Sequence, residues 1–161
     1  MIGEPTKQKI AIKNQTSENA VSSQTSLGRN FHATETYFDR PEPKIYYVSG
    51  VDNSWDNNTL QIAFFSDSNA AENVQIGNDL DIMFWIDMHD GTIRGDVADR
   101  GSIRFYYDVL LQKITGRFKF EVDNRDGTLA YTFTEGVFNI TKPFGEHKGL
   151  LRKALKNKHA S

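Results

Sequence analysis

Residues 79–89 alternate strictly: Leu80, Ile82, Phe84, Ile86 and Met88 take one side, and Asp79, Asp81, Met83, Trp85, Asp87 and His89 the other. A period of two sends successive side chains to opposite faces of an extended chain, so this run predicts a strand that covers a core with one face and shows a mixed face on the other. Ile103, Phe105, Tyr107 and Val109 alternate with Arg104, Tyr106, Asp108 and Leu110 in the same way. Within residues 113–123, Ile114, Phe118, Phe120 and Val122 oppose Arg117, Lys119, Glu121 and Asp123. Leu129, Tyr131 and Phe133 follow after Asp126-Gly127, a turn-forming pair that predicts a hairpin. Shorter strands are expected at 32–38, 44–51, 59–66, 91–97 and 137–141. Their separators, at 39–43, 52–58, 67–72, 98–101 and 135–136, are rich in turn formers. Residues 70–73 are read as at most one helical turn.

About eight or nine strands, each close in sequence to the next, predict an all-β domain built as an antiparallel meander rather than from βαβ units. A closed barrel is the first expectation and a two-sheet sandwich the second. Gly116-Arg117-Phe118-Lys119-Phe120, followed by the hairpin and then Glu135-Gly136-Val137-Phe138-Asn139-Ile140, resembles small calycin-like, lipocalin-type β-barrels in alternation and glycine placement.

Composition sets the domain limits. Every aromatic residue lies between Phe31 and Phe144, so the core is expected at 31–144. Before it, 11 of the 17 residues at 14–30 are Ser, Thr, Asn or Gln. Such a stretch buries too little apolar area to offset its ordering entropy, and residues 1–30 are read as a disordered polar leader. After it, 145–161 places Leu150, Leu151, Ala154 and Leu155 on one side and Lys148, Arg152, Lys153, Lys156 and Lys158 largely elsewhere. That spacing predicts a short basic amphipathic helix.

Charge narrows the partners. Residues 31–141 hold 9 Lys and Arg against 18 Asp and Glu, whereas 142–161 hold 6 against 1. An acidic domain is a poor binder of nucleic acid except through its basic C-terminal segment, and no nucleic-acid partner is expected. With no cysteine there is no disulfide, thiolate nucleophile or zinc ribbon. The chain opens without the apolar stretch of a secretory signal and has no run long enough to cross a membrane as a helix. A cytoplasmic location is expected, with secretion lacking a signal of the usual kind as the alternative.

Candidate chemistry is sparse. Asp52, Ser54, Asp56 and Asn58 place oxygens at alternate positions like the first half of a calcium loop, but Asn57 and Ala63 stand where an EF-hand needs Gly and Glu. Asp52 and Asp56 are therefore only weak metal candidates, and Trp55 in the same loop is a candidate sugar-stacking residue. The mixed face at 79–89 supplies Met83 and Trp85 as ligand-binding candidates. If it lined a cavity, Asp81, Asp87 and His89 would be acid–base candidates, with Arg104 and Tyr106 from a neighbouring strand orienting a substrate. There is no GxSxG elbow, phosphate loop, dinucleotide fingerprint or HExxH, and no cofactor is implied.

The leading expectation is a non-catalytic binding module using a cavity or sheet face for a small molecule, a glycan or a protein, a second copy of the chain included. The alternatives are a barrel isomerase, cyclase or lyase, and a secreted bacterial effector with an N-terminal export segment.

Overall fold

The computed structural model describes residues 19–142 of the 161-residue chain. The expected helix at 145–161 and most of the expected leader lie outside the described residues. Eleven strands run in order: β1 (Ala20–Thr25), β2 (Phe31–His32), β3 (Glu35–Glu42), β4 (Ile45–Asp52), β5 (Asn58–Phe65), β6 (Ala70–Gln75), β7 (Leu80–Asp87), β8 (Ile93–Val97), β9 (Arg100–Asp108), β10 (Lys113–Asp123) and β11 (Leu129–Thr141). There is no helix among the described residues, and so none long and apolar enough to cross a membrane.

The strands form two antiparallel sheets, one ordered β2-β1-β11-β10-β9-β6 and the other β3-β4-β5-β7-β8. The all-β antiparallel expectation therefore holds in the form of the two-sheet sandwich. The barrel, and with it the lipocalin-type architecture, is corrected: β2 and β6 end one sheet and β3 and β8 the other, without closing. The chain also changes sheets between β2 and β3 and between β8 and β9, and its largest departure from a meander is β6. After β5 the chain crosses to pair β6 with β9, Ala70 opposite Tyr106, and then returns so that Ile82 of β7 lies opposite Ile62 of β5. Alternation along a strand specifies its buried face but not its neighbours, so it does not distinguish a closed barrel from two open sheets.

One core fills the space between the sheets. Phe38, Tyr46, Val48, Leu60, Ile62, Phe64, Leu80, Ile82 and Phe84 come from one sheet; Val21, Phe31, Ile103, Phe105, Tyr107, Ile114, Phe118, Phe120, Phe133, Phe138 and Ile140 come from the other. Rings meet across the layers, with centroids 4.9 Å apart for Phe84 and Phe133 and 4.6 Å apart for Phe64 and Phe105. Contacts of this kind add to the area each ring buries.

Besides β6, a strand where a single helical turn is expected at 70–73, three segments differ from expectation for identifiable reasons. Residues 20–25, read as leader, are β1, paired with β11 and β2. Val21 is buried there, and the inward hydroxyl of Ser23 donates to the carbonyl of Thr134 at 2.9 Å, which removes the cost of burying it. β3 runs through the expected turn at 39–43 because Pro41 sits at a bulge on an edge strand, where it forfeits no ladder bond. β11 is continuous through 135–136: Glu135 adopts φ 53° in a bulge, and Gly136 admits the ring of Phe118, whose atoms would stand 2.5 Å from a Cβ there.

Two contacts join the sheets at the end where β3 stops. Buried Asp39 pairs with Lys142, just past β11, at 3.0 Å. The Arg40 guanidinium stacks 4.6 Å from the centroid of Tyr46 and 4.7 Å from that of Tyr107, one ring from each sheet.

Candidate functional site

β7 sends Leu80, Ile82 and Phe84 into the core, so Asp81, Met83 and Trp85 emerge on the outer face of the five-stranded sheet. This face is open surface, not a cavity wall. Register places Thr59, Trp85 and Gly95 in one row across β5, β7 and β8, with Gln61, Met83 and Val97 in the next. The six-membered ring of Trp85 lies over Gly95, where an added Cβ would stand 2.6 Å from Cζ3. Its Nε1–H donates to Oε1 of Gln61 at 2.8 Å. The glycine and the amide together hold the indole in one orientation.

Two loops raise a rim beside it. In the β4–β5 connection, Asp56 and Asn57 have φ 54° and 58°, and the amide of Asn58 donates to the carbonyl of Trp55 at 2.9 Å. Consecutive left-handed residues closed by that bond make a mirror-image hairpin turn, which Asp and Asn tolerate better than other side-chain-bearing residues. In the β7–β8 connection, His89 has φ 60° and its amide donates to Oδ1 of Asp87 at 2.8 Å. The loops touch where His89 Nε2 lies 3.1 Å from Oδ2 of Asp56. Buried Asn58 accepts from the amide of Asp87 at 3.2 Å. The result is a groove of about 460 Å³ lined by Asp56, Asn57, Thr59, Gln61, Trp85, Asp87 and Ile93.

The other candidates are dispersed. Trp55 packs on Phe84, with centroids 5.8 Å apart, and Arg29 sits 5.3 Å above it; it closes one end of the core instead of offering a free stacking face. Asp52 is buried, accepting from the His32 amide at 3.0 Å and from the Ser54 amide and hydroxyl at 3.1 and 2.7 Å. Burial pushes its carboxyl up, but these hydrogen bonds and the Arg29 charge outweigh it and hold the group below the usual aspartate range. Its lone pairs serve the loop. No group of three metal-ligating side chains occurs among the described residues.

Arg104 and Tyr106 lie on the outer face of the six-stranded sheet, opposite Arg117 and Thr115 of β10. The sandwich thus separates them from Asp81, Asp87 and His89, and the five do not form one catalytic constellation. Conversely, Thr59, Gln61, Asn57 and Ile93 join the groove without having been singled out in the sequence. Thr59 and Gln61 alternate along β5 with the buried Leu60 and Ile62, but only the pairing of β5 with β7 brings them to Trp85. No protein-family model, curated protein or solved structure matches this chain.

Proposed function

We propose that this chain is a non-catalytic binding module whose site is the groove over Trp85, and that it takes a small neutral polyhydroxyl ligand, a sugar ring in the simplest case. The observation that carries this reading is the indole of Trp85, set by Gly95 and Gln61 as part of a groove whose rim is Asp56, Asn57, Thr59 and Asp87. An aromatic surface beside a few convergent polar groups suits a ligand with one apolar face and a hydroxylated edge. Gln61 spends its carbonyl on the indole and keeps its amide N–H groups to donate, while the two carboxylates accept from hydroxyls.

The barrel-enzyme reading needs Asp81, Asp87, His89, Arg104 and Tyr106 around one cavity, and their placement on opposite faces gives it no support. Titration calorimetry of the full chain against a panel of mono- and oligosaccharides tests the proposal. At least one should bind saturably, and Trp85→Ala should weaken it by about tenfold, or about 1.4 kcal/mol, while still unfolding cooperatively. Absence of binding across the panel, or equal binding by the variant, would refute it.

A further inference from the structure

The outer face of the six-stranded sheet treats its arginines unequally. Arg100 is fully engaged: Nε donates to Glu121 at 2.8 Å and the two terminal nitrogens donate to Asp123 at 2.7 and 2.6 Å. Two rows along the same face, Arg104 of β9 stands directly opposite Arg117 of β10, both exposed and neither with an ion pair or hydrogen bond among the described residues. Like charges in directly opposed cross-strand positions repel, and a sheet carries such a pair at a cost unless something anionic lies between. Lys119, the next outward residue on β10, is also exposed and unpaired among the described residues, and it faces Ser102.

These side chains line two adjoining hollows of about 520 and 220 Å³, both containing Arg104, Arg117 and Glu72. Tyr106, 55% exposed, and Thr115 and Asn139 complete the larger; Glu135 borders the smaller. Oδ1 of Asn139 is buried without a partner among the described residues.

We infer that this face is a second binding site, for a single phosphate or sulfate group on a small organic ligand. The anionic group would lie between the Arg104 and Arg117 guanidinium groups, with Lys119 beside it and the organic portion on the ring of Tyr106. Planar guanidinium forks match tetrahedral oxyanions by paired N–H···O bonds, and the exposed ring supplies an apolar face next to them. Glu72, which lines both hollows, Glu135, which borders the smaller one, and the acidic balance of the domain disfavour an extended polyanion and leave room for one anionic group. The site is on the opposite face from Trp85, so either can fail without the other.

The test is a thermal-shift and calorimetric titration of the full chain with inorganic phosphate, inorganic sulfate and phenyl phosphate, each against sodium chloride at matched ionic strength. Phosphate or sulfate should stabilise saturably beyond chloride, the comparison showing which oxyanion is preferred. Phenyl phosphate should bind more tightly than inorganic phosphate. Arg104→Gln and Arg117→Gln should each weaken binding about tenfold, and Tyr106→Ala should abolish only the phenyl advantage. Without anion, Arg117→Gln should melt no lower than the wild type, because a repulsion has been removed. Equal stabilisation by chloride, or unaltered phosphate and sulfate binding in both arginine variants, would overturn the proposal.

Discussion

At the scale of single residues, Asp52 and Gly95 do the most with the fewest atoms. Asp52 is a buried carboxylate serving three donors that tie β2 to the β4–β5 loop. Its folded carboxyl titrates below the unfolded one, so its stabilisation is complete above about pH 4 and is lost as pH falls through the folded value. Asp52→Asn should flatten the acid limb of the curve of melting temperature against pH. At neutral pH the same variant should cost about 2 kcal/mol in urea unfolding, from hydrogen bonds weakened or orphaned. Gly95 acts by having no side chain. In Gly95→Ala the methyl would occupy the space of the indole, so the variant should displace Trp85 from Gln61, shift its indole N–H resonance and weaken any ligand of the groove, while costing only about 1 kcal/mol because β8 is an edge strand.

Among the elements, β1 and the end of β11 join parts of the chain that are distant in sequence. Val21 is buried where β1 passes over β4, its Cβ only 2.9 Å from where one on Gly50 would stand. Val21→Ala should cost about 2 kcal/mol and Gly50→Ala a similar amount, the first by leaving a void and the second by overfilling, both read from denaturant midpoints. Lys142→Met should cost about 3 kcal/mol, since it strands the buried Asp39 charge. The elements also show what the chain reveals about itself. β5, β7, β9 and β10 are legible because each alternates inward apolar side chains with a more polar face over most of its length, and β4 because a largely apolar run lies between turn formers. β1 is not, since Ser22, Ser23 and Gln24 are polar on both faces, and the Thr134 and Gln24 carbonyls that accept from its hydroxyl make Ser23 tolerable inside. β6 is not, because Ala70, Ala71 and Glu72 are good helix formers and the pairing with β9 overrides their propensity. The groove was half legible: Trp85 and Asp87 follow from the face of one strand, whereas Gln61, Thr59 and Asn57 depend on which strand pairs with it.

For the molecule as a whole, two properties follow from the topology. Phe84, on the five-stranded sheet, touches Phe31, Tyr131 and Phe133 of the six-stranded sheet and Trp55 of a loop. Phe84→Ala should cost about 4 kcal/mol, a large part of a typical domain's total stability. The pairing of Ala20 with Asn139 closes nearly the whole described chain, so non-local contacts dominate and refolding should take milliseconds to seconds in stopped-flow fluorescence. A microsecond phase carrying the full amplitude would contradict that expectation. The sandwich architecture also turns the mixed face of β7 outward, which makes a surface groove the site to test. With two tryptophans in the chain, nuclear magnetic resonance of the full-length protein offers two indole N–H signals, and Trp85→Phe identifies which is which. Titrated with the saccharide panel, the Trp85 signal should shift saturably while that of Trp55, held against the core, moves little. An unmoved Trp85 signal throughout, or a shift confined to Trp55, would contradict the account.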